Sequence, residues 1–208
     1  MRDTHAFGSY SGTNMRTSHL KGRPHALTLL PVFLMITLSA AQGQGGARES
    51  PTRARLISAA RDVMLTAGFC ALITVDETGL PQARVMDPFP PDDRMVVWFG
   101  TNPKSRKVKQ IRHNPRVSLH YFDPEGFRFV TIAGRARLVD DPQEKAKRWK
   151  STWEGLYPNR DDAYLLIEVT PERLEVLDPQ HGIVGDPETW APPSVQFDVQ
   201  GTTGGLNR

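Results

Sequence analysis

Short runs of apolar and β-branched residues, each ended by turn-forming residues, make up most of the chain beyond residue 68. Runs of this length and composition are typical of β-strands. Strands and helices do not alternate regularly, and no Gly-x-Gly-x-x-Gly motif occurs, which argues against a doubly wound parallel fold. The sequence therefore predicts a mainly β protein, a small mixed barrel with flanking helices. The predicted strands cover residues 69–75, 81–86, 95–100, 116–122, 127–139 and a last strand in two parts, 164–169 and 173–177, interrupted at Pro171.

One predicted helix precedes these strands and another lies between the last two of them. In the first helix, Ser50 can cap the N-terminus with Pro51 at the first helical position, and Gly68 ends the apolar periodicity. The other helix opens at Asp141 with the Asp-x-x-Glu form of a capping box and runs toward Trp153. The first of these helices is predicted to be amphipathic.

The excess positive charge is confined to the beginning of the chain. The net charge is +3, and the first 41 residues hold four basic side chains against one acidic side chain. The remainder is neutral, which excludes a strongly basic surface that binds nucleic acid through overall charge. The one cysteine, Cys70, excludes an intrachain disulfide and a multi-cysteine metal site. Because His113, His120 and His181 lack ligand spacing, no structural metal is expected.

The first 41 residues predict a targeting leader. Basic residues precede an apolar run at 26–38, and small residues follow it up to Ala41, which is the order of a secretory signal peptide. The run is shorter than the ~20 residues of a spanning helix and contains Pro31, so no permanent membrane anchor is expected. We predict a secreted or periplasmic protein. A start codon at Met35 or later would instead give a cytoplasmic one.

Residues 101–107, with the sequence Thr-Asn-Pro-Lys-Ser-Arg-Lys, combine a strand end with a helix start. Thr101 or Asn102 can cap the helix, and Pro103 suits its first position. Apolar residues then recur at helical spacing until Asn114 ends the helix. The segment therefore predicts a short helix that directly follows the third strand.

Three polar side chains fall in the first turns of this helix: the hydroxyl of Ser105, the guanidinium of Arg106 and the ammonium of Lys107. Free backbone N–H groups and the helix dipole favour an anion at this end, whereas basic side chains there oppose the dipole. A bound phosphate would reverse this unfavourable arrangement. We therefore predict a phosphate site, with Arg84 on the second strand as a further cation.

Two less specific interpretations of the same basic residues stay open. The cations between residues 104 and 112 can simply solvate a surface helix. Alternatively, the helix binds nucleic acid, in which case the binding would weaken steeply with salt. Spacing alone does not separate these interpretations from the phosphate site.

Several short motifs occur in an order and spacing that resemble a known family. They are residues 84–86 (Arg-Val-Met), 98–102 (Trp-Phe-Gly-Thr-Asn), 105–107 (Ser-Arg-Lys), 114–119, 134–136, 166–171 and 185–190. Together they resemble the FMN-binding core of the pyridoxamine 5′-phosphate oxidase-like split-barrel superfamily, and the last three resemble its bacterial general-stress FMN-binding members. On this basis we assign residues 1–41 to the leader, 42–52 to a linker, 53–197 to an FMN-binding domain and 198–208 to a flexible tail.

The resemblance implies a six-stranded split β-barrel that forms a homodimer, with one FMN in each of two clefts at the subunit interface. The residues that would hold the FMN phosphate are Arg84, Ser105, Arg106 and Lys107, with Thr101 at the phosphate or the ribityl chain. The residues that would line the flavin are Val85, Met86, Trp98, Phe99 and Gly100. No catalytic residue is identified, because the flavin itself carries the electrons in such proteins.

The chain departs from the true oxidase of this superfamily at the substrate site. Phe89 stands where the oxidase has a lysine, and Phe129 stands where it has a glutamine near the flavin. Its C-terminal Arg-x-His and the Tyr, Arg and Ser set of its second helix are also missing here. We therefore expect a cofactor site without the vitamin B6 substrate site.

The resulting functional prediction is an FMN-dependent oxidoreductase that passes electrons from a reduced nicotinamide or another donor to a small acceptor. The alternative is a stress protein that binds or sequesters flavin without turnover. A related cofactor, such as a deazaflavin or haem, is the remaining alternative for the same fold.

Overall fold

The computed structural model describes residues 50–157 and 162–198. The predicted leader lies outside these residues, as do most of the linker and tail. Within the described ranges, no helix is both long and apolar enough to cross a membrane. The elements are α1 (Arg53–Ala67), β1 (Cys70–Val75), β2 (Pro81–Met86), β3 (Val97–Thr101), α2 (Arg106–His113), β4 (Arg116–Asp123), β5 (Arg128–Val139), α3 (Pro142–Lys147), β6 (Leu165–Leu177) and β7 (Ser194–Gln196).

In the described part of the chain, seven strands form one antiparallel sheet. Neighbouring strands follow the order β2-β1-β4-β5-β6-β3, and β7 pairs with β6. The sheet is not closed: β2 and β3 are its ends, and a single bridge between Pro88 and Phe99 joins β3 to the segment after β2. This confirms the mainly β fold with flanking helices and is consistent with a split barrel. The predicted count of six strands is low by one, because β7 has only three residues and follows a proline pair.

The predicted strand ends agree with the structure to within two residues, but the predicted interruption of the last strand is wrong. β6 is continuous through Pro171. Instead, the register between β5 and β6 shifts at Ala133 and Gly134, and Pro171 pairs with Gly134. A Cβ atom at Gly134 would lie 2.4 Å from the carbonyl oxygen of Thr170, so the close approach at this irregularity requires glycine.

The helix boundaries correct two of the predicted starts and ends. Thr52, and not Ser50, caps α1, and its Oγ1 accepts a 3.3 Å hydrogen bond from the Arg55 backbone N–H. The predicted cap of α3 is confirmed, since Asp141 Oδ1 accepts from the Glu144 N–H at 2.9 Å. However, α3 ends at Lys147 and does not reach Trp153, which lies in a separate 3-10 turn packed in an aromatic cluster.

Two apolar clusters lie on opposite sides of β3. Successive side chains of a strand point to opposite faces. Phe99 accordingly belongs to the larger cluster, which packs α1 against the inward-facing residues of the sheet, such as Leu72 and Leu119. Trp98 belongs to the smaller cluster, which includes Trp153. β3 is therefore fixed from both sides, and its C-terminal end at Thr101 leads directly toward α2.

Candidate functional site

The turn between β3 and α2 differs from its predicted form. The Asn102 side chain accepts a 2.8 Å hydrogen bond from the Lys104 N–H, and the Asn102 carbonyl accepts from the Ser105 N–H at 3.0 Å. These bonds hold a tight turn, so the helix begins at Arg106 and its N-cap is Ser105, not Thr101 or Asn102. The predicted C-terminal end at Asn114 is confirmed.

This turn brings two hydroxyls and one ammonium together. The Oγ1 atom of Thr101 lies 3.3 Å from Oγ of Ser105, and Lys107 Nζ donates a 3.1 Å hydrogen bond to the same Thr101 oxygen. The Ser105 hydroxyl makes no cap bond to the helix. The first backbone N–H groups of α2, including those of Arg106 and Lys107, have no intrahelical acceptor. The start of α2 thus collects hydrogen-bond donors at one place.

Arg84 reaches toward this helix from β2. Its Nη1 donates to Thr74 Oγ1 at 2.6 Å and to the Leu72 carbonyl at 3.2 Å, and its Nη2 donates to Gln110 Oε1 at 3.0 Å. An arginine side chain has five N–H groups. The Nε–H and one Nη2–H therefore have no protein acceptor among residues 50–157 and 162–198. The guanidinium is anchored on one side and has two donors left for a ligand.

Thr74 and Gln110 are members of this site that the sequence interpretation did not identify. Thr74 is fully buried and donates a 2.6 Å hydrogen bond to Gln110 Oε1, while Gln110 is 7% exposed on the inner face of α2. A sequence signal existed for Thr74, because it occupies an inward position of β1 after Cys70 and Leu72. A polar residue in such a position needs a partner.

The charged side chains of the site are cations that lie close to one another. Burial, and then repulsion by Arg106, lowers the pKa of Arg84. Burial, and then repulsion by Arg84, lowers the pKa of Lys107. No described carboxylate lies within 4.0 Å of the charged groups of Arg84, Arg106 or Lys107, although ion pairs are common elsewhere in the described fold. An anion would relieve this repulsion.

The predicted flavin-lining residues differ in how far their side chains are exposed. Val85 is 74% exposed, whereas Met86, Trp98 and Phe99 are buried. The Trp98 ring is also covered by the Arg148 guanidinium, whose central carbon lies 3.7 Å from the ring centroid. The side chains of these buried residues therefore belong to the core, and they could meet a ligand only by their backbone or an edge.

Gly100 has a packing role that its sequence context did not indicate. A Cβ atom at this position would lie 2.6 Å from two ring carbons of Trp153. Glycine here lets the Trp153 ring pack directly against the β3 backbone, immediately before Thr101. The geometry of the turn between β3 and α2 thus depends on the aromatic cluster that packs against Gly100.

Two cavities of about 530 and 270 Å³ open on the described part of the chain, and neither is lined by Arg84 or by residues 101–107. The cation cluster thus lies outside both of these cavities. A cleft around it would require additional groups.

The described residues thus form an open antiparallel sheet with a cluster of cations where a short helix starts. Residues 56–178, more than half of the chain, match the pyridoxamine 5′-phosphate oxidase family. The chain therefore belongs to this family, which confirms the resemblance seen in its motifs.

The relatives of this chain include a general stress protein and several oxidases. It is 32% identical to general stress protein 26 of Bacillus subtilis over 111 residues, which are 51% of this chain and 77% of that protein. It is 42% identical to a pyridoxine/pyridoxamine 5′-phosphate oxidase of Burkholderia mallei over 72 residues, but it spans only 33% of that enzyme and 35% of itself.

A solved structure supports the fold. The protein related to general stress protein 26 from Clostridium acetobutylicum superposes with a TM-score of 0.55 at 20% identity, covering 69% of this chain and 94% of that one. At this identity the likeness concerns the fold alone.

Proposed function

We propose that this protein binds FMN and acts as an FMN-dependent oxidoreductase. The observation that carries the proposal is the group of Arg84, Arg106 and Lys107, three cations without a carboxylate partner in the described part of the chain, at the start of α2. A dianionic phosphate fits this group, because it accepts charge-assisted hydrogen bonds from the guanidinium and ammonium groups. Membership of the family supports the choice of a flavin phosphate.

The chain's own residues would bind and orient the cofactor. Arg84, Ser105, Arg106 and Lys107 would hold the phosphate, and Thr101 would contact the phosphate or the adjoining ribityl chain. Val85, Met86, Trp98, Phe99 and Gly100 would meet the isoalloxazine, with Val85 offering its exposed side chain and the others mainly backbone. When bound, FMN supplies the transfer of a hydride or electrons from a reduced nicotinamide or another donor to a small acceptor.

Oxidation of pyridoxamine phosphate is not part of this proposal. The matched part of the Burkholderia enzyme is only a third of its length. In the structure, Phe89 packs edge-on against Trp153 with ring centroids 5.5 Å apart, so this position contributes to the aromatic cluster. The missing lysine is therefore replaced by a residue with a packing function.

We also propose that the functional unit is a homodimer. The outer face of the β1–β2 hairpin pairs apolar residues in register, and Val85 on this face is 74% exposed. The residues of this face are Ala71, Ile73, Val75, Pro81, Ala83 and Val85. A second copy would bury the face and would supply the further walls that the cation cluster lacks.

Light scattering tests the dimer. The measured mass should be twice that of the chain, and Val85→Glu should reduce it to that of one chain, whereas Leu80→Glu in the turn of the same hairpin should not.

Purified protein tests the cofactor proposal directly. We expect a yellow protein with flavin absorbance that releases one FMN per chain on denaturation, identified by mass. Anaerobic addition of a reduced nicotinamide should bleach the flavin, and an acceptor should restore it. Colourless protein that refuses added FMN would contradict the proposal, and a released haem or deazaflavin would replace it. Bound FMN that no donor reduces would favour the flavin-sequestering alternative.

Export remains a proposal that rests on the leader sequence. We expect the mature protein in the secreted or periplasmic fraction with an N-terminus near Gln42. N-terminal sequencing of the native protein checks this, and a first residue at Met35 or slightly later, with recovery in the cytoplasm, would contradict it.

A further inference from the structure

A cavity of about 530 Å³ lies along one face of α1, apart from the residues predicted to hold the FMN phosphate. Arg55, Ser58 and Asp62 of α1 line it, at the positions i, i+3 and i+7 that share a helix face. His181 and Ile183, which follow β6, form another part of its wall. Sites for small organic molecules usually have volumes of ~300 to 1,000 Å³, and a few polar groups determine what they recognise.

The Arg55 guanidinium lies at one end of this row and is held in place. Its Nη2 donates a 2.5 Å hydrogen bond to the His181 carbonyl. The remaining N–H groups of the five that an arginine carries have no acceptor in the described part of the chain. Because a guanidinium can bind a carboxylate through two parallel hydrogen bonds, this end of the cavity is suited to an anionic group.

Asp62, two helical turns further along α1, supplies the opposite charge. Its Oδ2 accepts a 2.6 Å hydrogen bond from Arg128 Nη1, whereas its Oδ1 has no donor among residues 50–157 and 162–198. Arg128 also pairs with two buried carboxylates, those of Asp123 at 2.7 Å and Asp178 at 3.8 Å. The hydrogen bond from Arg128 lowers the pKa of Asp123, which therefore stays ionised. Since one guanidinium is shared by three carboxylates, Asp62 keeps negative charge that a cation can neutralise.

The His181 ring is oriented by a carboxylate behind it. Its Nδ1 lies 2.6 Å from Oδ2 of Asp178, which has no exposed surface, so this nitrogen carries a proton and donates. The side chain of His181 is nevertheless 63% exposed. The ring is thus a positioned part of the cavity wall, and its signals can report on an occupant.

The separation of the two charged side chains limits the kind of occupant. Seven residues separate Arg55 from Asp62, so their Cα atoms lie ~10 Å apart along the helix axis. Between them Ala59 adds an apolar methyl group to the same lining, and Ile183 adds a second apolar side chain. A ligand that meets both charges therefore needs an apolar spacer of several atoms between its own charged groups.

We propose that this cavity binds a small zwitterion in which a short methylene chain separates a carboxylate from an ammonium. The carboxylate accepts from the Arg55 guanidinium, the ammonium donates to Asp62 Oδ1, and the methylene chain lies along Ala59 and Ile183. The site is independent of the FMN proposal, because its lining contains none of the residues predicted to hold the phosphate.

The probes 5-aminopentanoate, pentanoate and pentylamine are matched, because they share a five-carbon chain and differ in the charges that it carries. The full chain is labelled with ¹³C in its histidine rings, and the His181 signal is assigned by its loss in His181→Asn. In titrations at constant pH and ionic strength, 5-aminopentanoate should shift this signal and bind about tenfold more tightly than either singly charged probe. This ratio corresponds to one charge-assisted hydrogen bond of about 1.4 kcal/mol. The shifts should be the same with and without added FMN.

Variants at the two ends remove one charge each. Arg55→Gln should abolish the preference for 5-aminopentanoate over pentylamine. Arg53→Gln is its matched control and should keep the preference, because Arg53 also lies on α1 and donates a 2.5 Å hydrogen bond to a backbone carbonyl, that of Gln196, but does not line the cavity. Asp62→Asn keeps an acceptor for Arg128, so it should fold normally and bind 5-aminopentanoate no more tightly than pentanoate.

The proposal is overturned if the His181 signal responds to none of the three probes, or if the zwitterion binds no more tightly than the singly charged probes. A preference that survives in both Arg55→Gln and Asp62→Asn would also overturn it. If Arg53→Gln weakens binding as much as Arg55→Gln, the effect belongs to the stability of α1 and the assigned contacts are wrong.

Discussion

Arg84 Nη2 donates a 3.0 Å hydrogen bond to Gln110 Oε1, so a strand residue and a helix residue 26 positions apart hold each other in place. The same Gln110 oxygen accepts a 2.6 Å hydrogen bond from Thr74. An amide oxygen can accept both bonds without adding a negative charge. This neutral acceptor positions the guanidinium without neutralising it, which leaves its charge available to an anion.

Replacing Gln110 with methionine should weaken both the fold and FMN binding. The change keeps the approximate volume but leaves the Thr74 hydroxyl and one Arg84 donor without an acceptor. We expect a loss of about 1 to 3 kcal/mol in the free energy of unfolding, the cost of unsatisfied buried donors. FMN affinity should fall about tenfold, because Arg84 is no longer held toward the helix. Chemical denaturation and quenching of flavin fluorescence measure the two effects.

Gln110→Glu is the matched comparison for Gln110→Met. Glutamate restores the acceptor, so stability should return to the wild-type value or above it. Its carboxylate would pair with Arg84 and repel the FMN phosphate, so affinity should fall below that of Gln110→Met. Wild-type FMN affinity in Gln110→Glu would contradict the assignment of Arg84 to the phosphate.

Removing two of the cations should weaken the binding of the FMN phosphate and leave the binding of the flavin ring unchanged. In Arg106→Ala with Lys107→Ala, FMN binding should weaken by about 3 to 6 kcal/mol if two charge-assisted bonds of ~1.5 to 3 kcal/mol each are lost. Riboflavin has no phosphate, so its affinity should change little. Titration of both ligands into the wild type and the variant provides the comparison.

The same helix supplies the control for this loss of charge. Lys109 and Arg112 are exposed on α2, beyond its first turn. Lys109→Ala with Arg112→Ala removes equal charge and should leave FMN binding nearly unchanged. If both double variants weaken FMN and riboflavin alike, a localised phosphate seat is the wrong explanation.

Local signals in the sequence were sufficient for most elements of the fold. The β-hairpin of β1 and β2 follows from two apolar runs separated by the turn-forming residues 76–79 (Asp-Glu-Thr-Gly), and the structure pairs the two strands over their whole length. The cations at the start of α2 were also predictable, because they adjoin a strand end in the sequence. The N-cap at Ser105 could not be predicted, because it depends on a hydrogen bond of the Asn102 side chain that holds a turn before the helix begins.

Residues whose role depends on partners far away along the chain could not be identified from the sequence. Gln110 matters only because β1 and β2 bring Thr74 and Arg84 beneath α2. The sequence also did not show that β3 separates two apolar clusters, one of which contains the Phe99 ring and the other the Trp98 ring. Spacing identifies which residues share a strand, but not which face is covered by another element.

FMN affinity should fall at high pH because of Lys107. Burial, and then repulsion by Arg84, lowers its pKa below the ordinary value of 10.5. As the pH rises through the lowered pKa, the ammonium loses its proton and its attraction for the phosphate. Between the lowered pKa and 10.5 the unfolded chain binds more protons than the folded one, so the FMN-free protein should gain stability as the pH rises. Bound FMN should reduce this gain by favouring the charged form.

Lys107→Arg distinguishes this titration from a general effect of pH. Arginine keeps its charge over roughly pH 7 to 10, so the FMN dissociation constant of this variant should stay nearly constant over that range while the wild-type value rises. Equilibrium titrations at fixed ionic strength provide the measurement. A parallel loss of affinity in both proteins would assign the pH dependence to another group.

Gly100→Ala should destabilise the protein and disturb the phosphate site together. The new Cβ would lie 2.6 Å from the Trp153 ring, so the ring or β3 must move. Overpacking of this kind costs about 1 to 3 kcal/mol, which thermal or chemical denaturation would detect. Because Thr101 follows directly, FMN affinity should fall as well.

Gly155→Ala is the control for this variant, since a Cβ there meets nothing within 4 Å. If Gly100→Ala combined with Trp153→Leu recovers both stability and FMN affinity, the contact with the ring explains the glycine. Recovery of stability without affinity would instead indicate that Gly100 itself must approach the cofactor.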